Sequence, residues 1–142
     1  MKLQKLSLPL IANQTAWLEY DQDSDLLELF FQSAEATCAI ELTESIILRF
    51  DWDNCEPLSL SFISMSKLVQ PSKFGPVHFQ LLNEEWPDEV QDKVWSMLQR
   101  GPLNEVLTLS SYVPAHSHQV IPMAAIKQPR LALGFTPWAK AA

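Results

Sequence analysis

The sequence predicts an α+β protein: an antiparallel five-stranded β-meander packed against one or two helices, with an extended C-terminal tail. Three observations predict it. Residues 17–63 repeatedly alternate apolar and polar side chains, the pattern of half-buried antiparallel strands. The links between those runs are short, which favours hairpins over crossovers. Residues 87–100 switch to helical spacing, and an apolar helix face of that kind is the natural cover for an apolar sheet face.

Taken in order, residues 1–16 read as an N-terminal arm. Residues 17–20 form a short β-like run. Asp21-Gln22-Asp23-Ser24-Asp25 is a turn, since these side chains bond their own backbone. Residues 26–31 are a nearly continuous apolar run. Residues 38–42 set Cys38, Ile40 and Leu42 against Ala39 and Glu41, and residues 46–52 set Ile46, Leu48, Phe50 and Trp52 against Ile47, Arg49 and Asp51. In residues 58–62 the reading places Leu58, Leu60 and Phe62 inward and Ser59 and Ser61 outward. These five strands make a meander domain over residues 17–70, closing with a short helix over 64–69 that stops before Pro71.

Residues 71–113 comprise a linker (71–76), a helix and a further strand (106–113). In the helix, Val90, Val94, Met97 and Leu98 share a face with Trp86; Asp88 and Glu89 suit its first turn and Arg100 its last. Gly101-Pro102 supplies the stop. Residues 114–142 read as an extended tail carrying Pro114, Pro122, Pro129 and Pro137.

The chain has 142 residues, 47% hydrophobic and 19% charged, enough to bury a core without disulfides or metal. Cys38 and Cys55 are the two cysteines and read as small buried thiols rather than a bridge. No run approaches the ~18 apolar residues of a membrane helix, and Pro9 interrupts the apolar stretch near the N-terminus. No membrane association is therefore expected, and a cytoplasmic location is. Net charge is −7, and all of it lies in residues 1–70, which hold eleven acidic and four basic residues; residues 71–142 hold six of each. An acidic module repels phosphate, so nucleic acid is an unfavourable partner and a basic protein a favourable one. A homo-oligomer is compatible with the composition.

No catalytic or cofactor site is expected. Asp21, Asp23 and Asp25 open like a calcium loop, but Leu26 and Gln32 stand where the turn glycine and bidentate glutamate belong. Asp51 and Asp53 flank Trp52 on one side of a turn, and His116-Ser117-His118 is the one histidine cluster, with His78 elsewhere. With three glycines in all, there is no phosphate-cradling loop and no nucleophile elbow. The alternative reading, a small metal-dependent hydrolase, would use Asp21, Asp23, Asp51 and Asp53 with His116 or His118. The favoured reading is a non-enzymatic protein–protein interaction module, an accessory or regulatory subunit. Its anchors are Leu131, Leu133, Phe135 and Trp138, apolar side chains that are costly to leave in water.

The segments Tyr20-Asp21, Asp25-Leu26-Leu27-Glu28-Leu29-Phe30, Ile47-Leu48-Arg49-Phe50-Asp51-Trp52-Asp53 and residues 58–68 resemble a small bacterial family catalogued as domain of unknown function 2283. About a third of the chain is covered. The family's glycines in the turn after the acidic pair and in the last strand are replaced by Asn54-Cys55 and Ser59. The resemblance implies a small β-meander with a helix. Some members lie beside small toxin-like proteins, so it also implies an antitoxin-like or partner-binding role.

Overall fold

The structure, a computed structural model, describes residues 3–68 and 78–127. Its elements are β1 (Leu3–Ser7), β2 (Trp17–Asp21), β3 (Leu26–Phe30), β4 (Cys38–Thr43), β5 (Ile46–Asp51), β6 (Glu56–Ile63), α1 (Met65–Leu68), β7 (His78–Gln80), a 3-10 turn (Asn83–Glu85), α2 (Asp88–Leu98), α3 (Leu103–Val106), β8 (Leu107–Tyr112) and β9 (Ile121–Ile126). The fold is predominantly antiparallel sheet with few helices, an α+β arrangement.

The five strands expected over residues 17–63 are all present, but they do not form a meander. The six-stranded sheet has the order β1-β2-β3-β6-β5-β4, so β6 sits between β3 and β5. The reason is burial. Residues 57–62 of β6 are buried on both faces, which an edge position would not allow, whereas β4 is largely half-exposed and suits an edge. The result is a Greek-key connection. The link over residues 31–37 crosses three strand spacings, about 14 Å, well within the reach of seven residues at roughly 3.3 Å each.

Two further expectations are corrected. The N-terminal arm contains β1, which pairs with β2 from Leu3↔Asp21 to Ser7↔Trp17. The proposed tail is folded in its first part: β9 is the middle strand of a second sheet of order β7-β9-β8. Pro122 lies in that central strand just past the β7 pairing that ends at Gln80↔Met123, and its carbonyl still accepts Leu81 N–H at 3.0 Å. Residues 71–76, expected as a linker, lie outside the described residues.

The inner face of the large sheet presents Leu18, Tyr20, Leu27, Leu29, Leu60, Phe62, Ile46, Leu48 and Phe50. Against it pack Val90, Val94, Met97 and Leu98 of α2, Leu103 and Val106 of α3, and Ala124 and Ile126 of β9, in one continuous core. Residues 78–127 thus pack on the sheet rather than standing apart. Polar ties fix this docking. Leu82 N–H donates to Leu42 O at 2.8 Å and Trp86 Nε1 to Glu41 O at 2.8 Å, covering the free edge of β4. Lys93 donates to Trp52 O at 3.0 Å with its ammonium 4.5 Å from the Trp52 ring centre. Arg100 lies past the end of α2, not in its last turn, and its guanidinium donates to Cys55 O. Cys38 and Cys55 are both free thiols, half-buried. Burial raises the Cys38 pKa, only partly opposed by the Ala39 N–H.

Glu105 anchors the segment that follows β1. Its two carboxylate oxygens accept the N–H groups of Ile11 (2.6 Å) and Ala12 (2.9 Å). That segment is held so close to the α2–α3 link that a Cβ added at Gly101 would lie 2.6 Å from Ala12 Cβ. Gly101→Ala should therefore destabilise the fold by about 1–3 kcal/mol, the usual range for overpacking. Ala12→Gly in the same chain should restore most of the loss in a urea titration. A Gly101→Ala variant as stable as the parent would show that the segment is not held there.

Candidate functional site: the outer face of the large sheet

The outer face can be laid out from the register alone. One row across the strands reads Ser7, Trp17, Phe30, Ser59, Arg49, Ala39. The next reads Lys5, Glu19, Glu28, Ser61, Ile47, Glu41, and a third Leu3, Asp21, Leu26, Ile63. Among the described residues neither helix nor second sheet covers this face, yet it is not a plain polar surface. Trp17 and Phe30 stack with ring centres 5.1 Å apart and planes 16° apart. Lys5 lies 5.7 Å from the Trp17 ring centre, and Trp17 Nε1 donates to Glu19 at 2.9 Å.

Beside the stack, a register shift between Arg49 and Phe50 places a bulge at Leu58, since Arg49 pairs with Ser59 and Phe50 with Pro57. A bulge re-aims the side chain it carries. Leu58 is buried but stands outside the main core; it lines a recess with Trp17 and Phe30 instead of pointing inward as the alternation predicts. The recess measures about 280 Å³ and is bounded by Ala34 and Ala36 of the β3–β4 link. Glu28 and Arg49 also line it.

Arg49 is half-buried in the middle of the sheet, and Nη1 donates to Ser61 Oγ at 2.5 Å. Among the described residues it has no carboxylate partner, and Glu28 makes no hydrogen bond or ion pair. Ser59 and Ser61, read as outward, are indeed on this face, but at 5% and 3% exposure they form a shallow floor of small side chains between β3 and β5. The recess therefore combines an aromatic platform, aliphatic walls, and an acid and a guanidinium with open bonding capacity. Such a site accepts an apolar side chain and bonds to the polar groups beside it.

A second cleft of about 300 Å³ opens at one end of the sheet among Asn13, Gln32, Asn54, Glu56 and Arg100. Most of its polar groups are already used internally. Gln32 donates to Glu56 (2.9 Å), Asn13 to Phe31 O (2.7 Å), and Arg100 to Cys55 O. These bonds clip loops together and leave less for a ligand.

The sequence-predicted chemistry is dispersed. Asp21 and Asp23 lie in the β2–β3 turn, where Asp21 Oδ1 accepts Asp23 N–H at 3.0 Å. Asp51 lies at the other end of the sheet, its oxygens accepting Asn54 N–H (2.9 Å) and Thr37 Oγ1 (3.5 Å). Along β6 the two ends are marked by Ile63, beside Leu26, and Glu56, beside Asp51, roughly 23 Å apart at 3.3 Å per residue. His116 and His118 sit in the β8–β9 link and His78 in β7. Among the described residues no three His, Cys, Asp or Glu side chains group closely enough to hold a metal. Also among them, no helix is long and apolar enough to cross a membrane. Leu131, Leu133, Phe135 and Trp138 lie outside the described residues.

The sequence reading missed Trp17, Phe30, Leu58 and Arg49 as a group. Part of the signal was present: in residues 17–20 and 46–50, Trp17 and Arg49 fall on the outward parity. The bulge that adds Leu58 leaves no such trace. Comparison with known proteins finds no matching family model, no similar curated protein and no similar solved structure.

Proposed function

We propose that this chain is a non-enzymatic protein-binding module whose docking platform is the outer face of the six-stranded sheet. The observation that carries the reading is the recess at Trp17, Phe30 and Leu58, flanked by an Arg49 that no carboxylate among the described residues neutralises. An apolar side chain of the partner fills the recess, and a partner carbonyl or carboxylate takes up the free N–H groups of Arg49. Around it Glu19, Glu28, Glu41 and Asp21 outnumber Lys5 and Arg49 on that face, so the surrounding partner surface is basic. Leu131, Leu133, Phe135 and Trp138 supply a second set of anchors in this reading. The strand-and-turn resemblance of residues 20–68 fits a partner-binding role and belongs to the same proposal, as does a cytoplasmic setting.

The test is calorimetric titration of a partner first captured with the tagged full-length chain. Trp17→Ala should weaken binding about 30-fold, the loss of a ~2 kcal/mol anchor. Truncation after Lys127 should weaken it further, and raised salt should weaken it in every variant. Equal affinity for the parent and Trp17→Ala would remove the recess from the interface. Equal affinity after truncation would remove the tail residues.

A further inference from the structure

We propose that two copies of this chain pair through β8, edge to edge and antiparallel, to make one continuous six-stranded sheet from their two small sheets. An exposed strand edge templates the addition of another strand unless charge, proline, shortness or a cover blocks it. Three of the four edges are blocked. Lys5 sits at the middle of β1, Leu82 and Trp86 cover β4, and among the described residues β7 spans only three. The fourth, β8, pairs on one side with β9 and on the other with nothing among the described residues. Its sequence, Leu-Thr-Leu-Ser-Ser-Tyr, holds neither charge nor proline. At its end and beside it, Tyr112, Val113 and Val120 are 56%, 52% and 59% exposed, an apolar tip that nothing among the described residues covers.

The occupant that fits is a second copy. The whole net charge of −7 belongs to residues 1–70, while residues 71–142 are neutral. Pairing through the neutral half therefore joins two acidic molecules with their repelling halves apart. A basic partner gains no attraction at an uncharged edge. A two-fold axis at Ser110, near the middle of β8, sets Thr108 opposite Tyr112, Leu109 opposite Ser111, and Ser110 opposite its own copy. Such an interface is isologous and closes at two chains.

The experiment is sedimentation equilibrium of the full chain over a wide concentration range, with Ser110→Lys and Ser110→Glu beside it. Ser110 is exposed and keeps its pairing with Met123 inside each copy, so both variants retain the native circular dichroism spectrum. The parent should dimerise, and each variant alone should dissociate with at least a tenfold higher dissociation constant. Mixing the two should restore dimers, because the axis sets lysine against glutamate. A monomeric parent overturns the proposal. So does a dimer that survives both substitutions, or a monomer that dimerises only when residues 128–142 are removed, which would assign the edge to the chain's own tail. Failure of the mixture to pair would overturn the Ser110 axis.

Discussion

Phe62→Ala should lower the free energy of unfolding by about 3–5 kcal/mol, the range for emptying a buried phenylalanine site. Phe62 is fully buried in β6, an interior strand of the large sheet, and it faces Leu27 on one neighbour and Ile46 on the other. Removing its ring leaves a cavity bounded by two strands whose backbones are fixed by their own ladders, so little collapse can refill it. A domain of this size has roughly 5–15 kcal/mol in all, so the variant unfolds at a markedly lower urea midpoint. Ile63, one residue on, is 42% exposed on the outer face, and Ile63→Ala should cost about 1 kcal/mol or less. Urea titration of the two variants checks both values. Equal losses would mean that β6 is not set in this register, because a one-residue slip exchanges its two faces.

That pair of residues also shows what the sequence could and could not disclose. Which residues of 46–51 and 58–63 face the core was mostly legible, since period-two alternation is a direct record of one-sided burial. Which strand lies beside which was not. Residues 26–30, 46–51 and 58–62 are all apolar on alternate positions, so local pattern accepts several neighbours for each. The order was decided by the two-sided burial of β6, a property of the whole sheet. Ser59 and Ser61 hid it by reading as a solvated face, although both are buried and Ser61 accepts a bond from Arg49.

The missed strands have separate causes. β1 sits on an edge and leaves Leu3 and Leu6 exposed, so no alternation marks it. β9 carries Pro122, which argues against a central strand unless its neighbour has already ended. The candidate site was the least legible of all. It needs Trp17, Phe30, Leu58 and Arg49 from four strands, and the bulge that turns Leu58 toward the others is a feature of pairing, not of composition. Leu131, Leu133, Phe135 and Trp138 stand out by the cost of leaving apolar side chains in water, and they lie outside the described residues.

Asp25→Ala should destabilise the fold by about 2–4 kcal/mol, from lost bonds to a charged acceptor together with strain at a left-handed residue. Asp25 has φ 53°, a conformation that Asp and Asn tolerate better than alanine. Its carboxylate accepts Ser66 Oγ (2.6 Å), Ser66 N–H (3.1 Å) and Tyr20 OH (2.7 Å), and its carbonyl accepts Met65 N–H (3.0 Å). The β2–β3 turn is thereby bolted to the start of α1. Asp25→Asn keeps the backbone preference and part of the bonding, so it should cost about 1 kcal/mol. The pH dependence gives an independent check. Burial by itself would raise the Asp25 pKa, but the bonds from Ser66 and Tyr20 and the charge of Lys67 outweigh it and hold the carboxyl below its usual range. A depressed folded pKa stabilises the fold above the unfolded value, near 4, and that contribution disappears as pH falls through the folded pKa. The stability advantage of the parent over Asp25→Asn should thus be constant near neutrality and vanish in acid. Tyr20 acts at the other limit. Burial, then the bond and charge of Asp25, and the charge of Asp21, push its phenol above the ordinary range. Its contribution is complete below pH ~10 and is lost only as pH rises through the raised value. A parent and Asp25→Asn that differ equally at pH 2 and pH 7 would show that the carboxylate charge contributes nothing to the bolt.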